Sequence, residues 1–499
     1  MSLNDLIFLL PELILLLAAA AIFILDLIGR RPDDPDTLMR PAKPWLSYVA
    51  LGGLAAAALG LLPGVGQTRQ VAAMLAADPF AIFFKALAIL GVALVIAAAL
   101  PYMRTRTPYV GEFYALLLVS AAAICLVVSA ANLIMLYLAM EFLSITSYVL
   151  AGYFREDRKS GEAAIKYFLY GATASAVMLY GMSLLYGATG TTDLAGIAQA
   201  LGQRGRADLL WLGGPAIILL LVGFGFKASL VPFHQWAPDT YEGAPTPVTA
   251  FLSTASKAAG FAILIRVFLS ALPDLQPLWV ALLALVSVLT MTLGNLTAIR
   301  QTNIKRMLAF SSIAQAGYIL IGVAAVAAES GATAGPFDGI NGVLIYLFAY
   351  LVTNVGAFAV VIAVENRSGK VEIKDYAGLI RRAPWLAVAL FIFLLSLAGI
   401  PPTAGFVGKL FVFGAAVRAA MIPLAVIGAL NVVVSAFYYL NVVRVMFFVP
   451  PEPDAEPVVV ARPLQATVLL TGALTLLIGL LPGWLIQWAD QSVRLLAWR

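Results

Sequence analysis

The sequence predicts an all-α polytopic membrane protein of about fourteen transmembrane helices, with two inverted five-helix repeats in which helices 7 and 12 are discontinuous. Three observations carry this prediction. Of 499 residues, 62% are hydrophobic and 11% charged, with a mean hydropathy of +0.95; soluble domains hold about 45–50% apolar and about 25% charged residues. Apolar runs long enough to cross a bilayer recur along the whole chain. Two of these runs are too long for one span, and both contain prolines.

The first run, Leu3 to Ile28, carries Asp5 and Glu12 and lacks the basic front end and small-residue cleavage site of a signal peptide, so it reads as a membrane helix. Runs at 45–62 and 79–101 complete an N-terminal unit, 1–110. Runs at 111–129, 131–153, 162–187, 210–242 and 246–270 form a first group of five, within 111–272. Runs at 277–299, 304–328, 339–364, 383–420 and 422–449 form a second, within 273–449. The polar segment "PPEPDAEP" (450–457) reads as a rigid linker to a last helix at 464–488, in a final unit 450–499, and 192–206 reads as a short helix along the surface. In each group of five the overlong, proline-broken member stands fourth. An odd number of helices makes consecutive copies run in opposite directions, and broken helices at matching places of inverted repeats point to a transport path.

Loops after odd-numbered helices hold most of the basic residues: Arg30, Arg31, Arg40 and Lys43; Arg104 and Arg106; Arg155, Arg158 and Lys159; Arg300, Lys305 and Arg306; Arg367, Lys370, Lys374, Arg381 and Arg382. Loops after even-numbered helices hold Arg69, Arg204, Arg206 and Arg418. The positive-inside rule places the odd loops in the cytoplasm or an organelle matrix and both termini outside. The net charge of +5 is therefore loop charge, and no basic stripe interleaved with aromatics points to nucleic acid. With one cysteine, Cys125, and one histidine, His234, the chain supplies too few ligands for an iron–sulfur cluster or a structural zinc. Redox chemistry is expected in a partner. "GFGFKA" (223–228) has dinucleotide-fingerprint spacing but follows no strand, and close helix packing explains its glycines better.

A charge at the centre of a membrane helix costs roughly 2.5–3.5 kcal/mol on insertion scales and faces a partner or water. Four such residues stand out: Glu141, Lys227, Lys257 and Lys409. Glu141 lies near the middle of "LIMLYLAMEFLSITSYVL", and Lys257 near the middle of "TAFLSTASKAAGFAILI", beside Ser253, Thr254 and Ser256. In "FGFKASLVPFHQW" (224–236), Pro232 removes an amide and clashes with the Ala228 carbonyl, breaking the helix next to Lys227. Backbone freed at membrane depth is tolerated where it lines water or protein, so the break hydrates the lysine. "SLAGIPPTAGFVGKL" (396–410) repeats the design, with Gly399, Pro401 and Pro402 ahead of Lys409. His234, two residues past Pro232, is either a hydrogen-bonded structural residue or a proton relay. Glu12, Asp26, Lys85, Glu112, Lys166, Arg266 and Arg444 lie toward helix ends and take snorkelling or interfacial contacts as their reading.

The stretch 226–261, "FKASLVPFHQWAPDTYEGAPTPVTAFLSTASKAAGF", resembles the signature of the antiporter-like membrane subunits of respiratory complex I, the NADH:quinone oxidoreductase. "NLIMLYLAMEFLSITSYVLAGY" (132–153), "EAAIKYFLYGATASAVMLYG" (162–181), "RMLAFSSIAQAGY" (306–318) and "LAGIPPTAGFVGK" (397–409) extend the resemblance across about 79–449. It implies a fourteen-helix core and one proton channel in a membrane arm. By position, Glu141 matches the glutamate that pairs with the lysine of helix 7, Lys227; Lys257 matches the central lysine of helix 8; Lys409 matches the ionisable residue of helix 12; His234 matches a histidine between them. One branch of the family carries a glutamate where Lys409 stands.

The resemblance further implies a multi-pass subunit of the bacterial inner (plasma) membrane, both termini periplasmic. Its expected partners are another antiporter-like subunit, the small membrane subunits and lipids, with no nucleic acid. FMN, iron–sulfur clusters and quinone are expected in partner subunits, with no cofactor or metal in this chain. The expected function is outward proton movement coupled to NADH-to-quinone electron transfer. Two other functions compete: an Mrp-type cation/proton antiporter subunit, and a structural membrane-arm subunit without its own proton path.

Overall fold

The computed structural model describes residues 3–28, 43, 45–203, 206–328, 337–451 and 457–493, the side chains of 3, 4, 206–210, 212, 327 and 328 excepted. Arg30, Arg31, Arg40, Arg204 and the linker 452–456 lie outside the described residues, as does the Arg206 side chain.

Twelve described helices are long and apolar enough to cross a membrane. Helices 1 to 6 are Ile7–Leu27, Leu46–Gly64, Pro79–Arg104, Val110–Val128, Leu133–Ala151 and Arg158–Thr189. Helices 8 to 11 are Thr246–Ala271, Pro273–Ala298, Ile304–Val326 and Gly339–Ser368, and helices 13 and 14 are Ile422–Phe448 and Arg462–Leu480. The seventh and twelfth positions are each taken by two shorter pieces: Arg206–Ala228 with Trp236–Gly243, here 7a and 7b, and Pro384–Ala398 with Ala404–Arg418, here 12a and 12b. Fourteen positions follow, as the hydropathy predicts.

Burial sorts these helices into an inner and an outer set. The apolar stretches of helices 8 and 11 are wholly buried and that of helix 10 is 94% buried, against 28–39% for helices 1, 2, 6, 9, 13 and 14. Helix 8 packs on helices 3, 7a and 11, and helix 11 packs in turn on helices 10, 12b and 14. The outer helices leave large apolar side chains exposed, Leu17, Val433, Phe437 and Phe448 among them, as suits faces turned to lipid or to other membrane helices. The polar central residues of helices 8, 10 and 11 are therefore shielded from lipid.

Both breaks have local causes. After Ala228, Ser229 takes a positive φ of +58° and the Val231–Pro232 peptide is cis. The freed amide of Val231 donates to Thr290 Oγ1 of helix 9 at 3.0 Å, and the Trp236 indole donates to the Phe226 carbonyl at 2.9 Å. Orphan groups at membrane depth are thus met by protein. In helix 12, Gly399 takes φ +85° and the Pro401–Pro402 peptide is cis. A Cβ on Gly399 would lie 2.6 Å from Lys409 Cδ, so the glycine serves both the left-handed turn and the close approach of the lysine.

Three features depart from expectation. The last helix ends at Leu480, and a second, amphipathic helix runs Gly483–Val493. Pro482 ends the first by removing an amide, and Trp488 of the second packs on Phe83 at 4.6 Å. A two-stranded hairpin pairs Arg69–Val71 with Leu75–Ala77; its turn runs through Ala72 and Ala73 at positive φ, which no glycine or asparagine announces. Residues Leu252–Ser256 form a π turn just before Lys257. The short helix expected within 192–206 is Leu194–Gly202, with Leu194, Ile197 and Leu201 buried.

Candidate functional site

Lys227, Lys257 and Lys409 are each 1–4% exposed. Lys227 lies in the last turn of helix 7a, immediately before the break. Its Nζ donates to Ser144 Oγ on helix 5 at 3.3 Å. Glu141 lies one turn before Ser144 on the same helix, half-buried, and its carboxylate accepts a hydrogen bond from Ser175 of helix 6. Glu141 is the carboxylate whose charge acts on Lys227. Among the described residues, however, no ion pair joins the two within 4.0 Å. Each member is held by a serine instead, so the pair expected from the sequence is an open one here. Gly260 of helix 8 sets the approach on the far side: a Cβ there would stand 3.0 Å from Ala228 N and 3.2 Å from Lys227 Cβ.

Lys257 lies one residue past the π turn of helix 8. Such turns widen a helix and recur at functional sites. Its Nζ donates to the Ser312 carbonyl of helix 10 at 2.8 Å and also to the Ser312 hydroxyl. Its small polar neighbour Ser253 accepts from Asn354 Nδ2 of helix 11 at 2.8 Å.

Lys409, in the second turn of helix 12b, reaches back over the break. Its Nζ donates to the Leu397 and Ala398 carbonyls at 2.9 Å each and lies 4.8 Å from the Tyr318 ring centroid. These are end carbonyls of helix 12a, which lack helical partners and carry the negative end of its dipole. A protonated lysine therefore satisfies them. At the helix 7 break the corresponding duty falls to a neutral indole, which leaves Lys227 free of it.

The central helices join two of the three lysines through residues not anticipated from the sequence. Gln315 Nε2 donates to the same Leu397 carbonyl at 2.8 Å and to Tyr439 Oη at 3.2 Å, and Tyr346 donates to Gln315 Oε1. Tyr439 Oη lies 2.5 Å from Ser311 Oγ, next in sequence to the Ser312 that holds Lys257. A buried polar route thus runs from Lys257 past Ser312, Ser311, Tyr439 and Gln315 to Lys409. Its signal was present in "AFSSIAQAGY": Ser311, Ser312 and Gln315 recur at three- and four-residue spacing on an otherwise apolar helix.

His234 lies in the helix 7 break, 8% exposed, with its ring buried beside the Pro232 backbone carbonyl. No described hydrogen bond connects it to the three lysines, so the structure does not bring it into the row.

Two readings of charges near helix ends need correction. Arg266 does not snorkel: it is 3% exposed and grips Asp78 with two bonds of 2.7 and 2.9 Å, while its Nε donates to the Val128 carbonyl at 3.1 Å. Lys85 lies 2.7 Å from Glu12 Oε1, both side chains under one-tenth exposed, although neither Glu12 oxygen receives an aligned hydrogen bond. Their partners lie on other helices, far away in sequence, which is why position along one helix misplaced them. Lys166 keeps its interfacial reading, bonded to Asp239 of helix 7b at 2.7 Å.

Residues 130–435 match the family model described as NADH:quinone oxidoreductase/Mrp antiporter, TM. The chain is 41% identical to NADH-quinone oxidoreductase subunit N of Trichlorobacter lovleyi, covering 97% of this chain and 96% of that one. It is 45% identical to subunit N of Moorella thermoacetica over 90% and 91%. Among solved structures it resembles a chain of respiratory complex I from Thermus thermophilus, at 35% identity and TM-score 0.76, covering 96% and 98%. A chain of the Mrp complex from a Dietzia species shares the fold at 24% identity and TM-score 0.83, covering 99% and 97%. The chain belongs to the NADH:quinone oxidoreductase/Mrp antiporter membrane family, in its subunit N branch.

Proposed function

We propose that this chain is a proton-translocating membrane subunit of an NADH:quinone oxidoreductase, moving protons outward as electrons pass from NADH to quinone in partner subunits. The observation that carries the reading is the pair of lysines buried in the lipid-shielded centre, Lys257 and Lys409, with hydrogen-bonding side chains filling the space between them. Static buried charges are replaceable by packed apolar residues at little cost, so lysines with a run of buried polar side chains between them favour transport over scaffolding. Lys227 loads a proton from the inner side, influenced by Glu141, and passes it to Lys257; Ser312, Tyr439 and Gln315 bridge to Lys409, which releases it outward. Moving one charge outward against the potential costs about 2.3 kcal/mol per 100 mV, so an electrostatic or conformational change from the redox arm drives the step.

Residues 111–272 and 273–449 are taken as the inverted repeats, between the N-terminal unit 1–110 and the final unit 450–499. A broken fourth helix with an adjacent lysine in each supports this. The basic loops support an orientation in a bacterial plasma membrane with both termini periplasmic. FMN, iron–sulfur clusters and quinone belong to partner subunits, and another antiporter-like subunit and the small membrane subunits are the neighbours. The test is Lys257→Ala in the assembled complex in sealed vesicles, with NADH oxidation and proton uptake followed together. Both fall sharply if protons pass through this chain. Wild-type rates in a complex that retains the subunit refute the reading.

A further inference from the structure

One carboxylate outside the row of lysines has the surroundings of a proton collector. Glu365, near the end of helix 11, has a side chain 12% exposed. Tyr102 Oη of helix 3 donates to Glu365 Oε1 at 2.9 Å, and Thr246 Oγ1, the first residue of helix 8, donates to Oε2 at 2.5 Å. The charged groups facing it are Arg106, 3.9 Å from Oε1, and Lys305 of helix 10, with the Tyr376 phenol also within electrostatic reach. Arg106 lies over the Tyr102 ring, 3.8 Å from its centroid, and donates to Asn366 at 2.5 Å.

Glu365 also lines a cavity of about 910 Å³, along with Arg106, Glu112, Tyr153, Arg155 and Asp157. One water occupies about 30 Å³ of liquid volume, so the space admits many. From Thr246 a column of hydroxyls leads inward along helix 8. Thr249 and Ser253 follow at one and two turns, and Lys257 lies just past the π turn, within about 16 Å of Thr246 along the helix. Helix 11 faces this column with Asn354, bonded to Ser253, and Tyr350. Asn354 Oδ1 is buried without a partner, and the Tyr350 phenol reaches Ser312, the residue that holds Lys257. An unspent polar group at such a place marks a position for bridging water.

Resting on the proton-translocating reading, we propose that Glu365 reloads Lys257 directly from the inner side, in addition to the proton that Lys227 passes to it. The carboxylate takes a proton from hydronium in the water of the cavity and leaves water behind. It gives that proton to the Thr246 hydroxyl as the hydroxyl releases its own to water bridging the oxygens of Thr249 and Ser253, whose own protons rest on the Tyr241 and Ala250 carbonyls, and Lys257 receives one at the far end. Protons and charge balance at each exchange, and Tyr102 and Arg106 hold the carboxylate at the mouth.

The test uses the intact complex in inside-out vesicles, with rates normalised to subunit content. Glu365→Gln keeps shape and hydrogen bonding but carries no proton, Glu365→Asp restores a carboxylate, and Glu365→Ala removes both. A positioned proton carrier contributes about 10²–10⁴-fold, and since water can replace part of this, the expected loss in Glu365→Gln is about tenfold, recovered in large part by Asp. Wild-type rates in Glu365→Gln with loss confined to Ala make Glu365 a structural brace and overturn the proposal. Should Glu365→Gln fail to assemble, Thr246→Val with Tyr102→Phe removes both hydroxyls instead; slow turnover supports the route and wild-type turnover refutes it. Lys257→Ala run alongside separates the two ideas. If it slows the complex while Glu365→Gln does not, only the uptake route fails; if it too is silent, the translocation reading fails with it.

Discussion

Gln315→Leu isolates the bridge between Lys257 and Lys409. Leucine fills nearly the same volume but removes the bonds to the Leu397 carbonyl and Tyr439 Oη and the acceptor of Tyr346. At about 1 kcal/mol net per hydrogen bond, the loss is about 3 kcal/mol. Two of the three stranded partners keep another bond: Leu397 retains Lys409, and Tyr439 retains Ser311. Tyr346 alone is orphaned, adding about 1–3 kcal/mol. A loss of this size lowers subunit abundance without abolishing assembly, since the surrounding helices 10, 11 and 12b stay packed. Transport is hit harder, because an apolar side chain then interrupts the polar route. With about 1.4 kcal/mol per tenfold, a barrier increase comparable to one or two lost neutral bonds slows turnover by about tenfold. The assay is NADH oxidation and proton uptake in sealed vesicles, each normalised to subunit content by immunoblot. Gln315→His, which can still exchange a proton, should recover part of the rate. Wild-type turnover per assembled complex in Gln315→Leu, beside a slowed Lys257→Ala, would refute the bridge and send protons by another path.

The remaining expectations concern architecture. Arg266→Ala leaves Asp78 buried and unpaired, a loss of about 3–5 kcal/mol that should appear as low subunit content in membranes; Arg266→Met with Asp78→Leu should recover much of it, and no recovery would mean that the pair does more than hold helices 3 and 8 together. Gly399→Ala places a methyl 2.6 Å from Lys409 Cδ at a φ of +85°, so it should displace the lysine from its carbonyls and slow pumping even where the complex assembles. Normal pumping in that variant would show that Lys409 has no need of its present seat.

Composition and hydropathy determined the class of this protein, because a chain with so few charges leaves the bilayer as its only stable solvent. Proline and glycine chemistry is local as well, so the two breaks were legible to within a few residues: Pro232 and the Gly399–Pro402 segment act on their own backbone. The rarity of charge in apolar runs likewise singled out Glu141, Lys227, Lys257 and Lys409 without reference to neighbours. The π turn before Lys257 and the alanine-rich turn of the hairpin were not legible, since their residues have no intrinsic preference for those shapes and packing imposes them.

Partnership was decided by tertiary structure alone. Arg266 meets Asp78 from 188 residues away, Lys409 meets a carbonyl shared with Gln315 of another helix, and Glu365 gathers Tyr102 and Thr246 from two more. Helical periodicity states which face a residue occupies but not which helix lies across from it. In a bundle of nearly uniform apolar helices that choice depends on small-residue contacts such as Gly260 against Lys227. The same packing separates a buried, hydrogen-bonded charge from one that snorkels to the surface, and it sets Glu141 and Lys227 apart on two serines rather than in a closed pair.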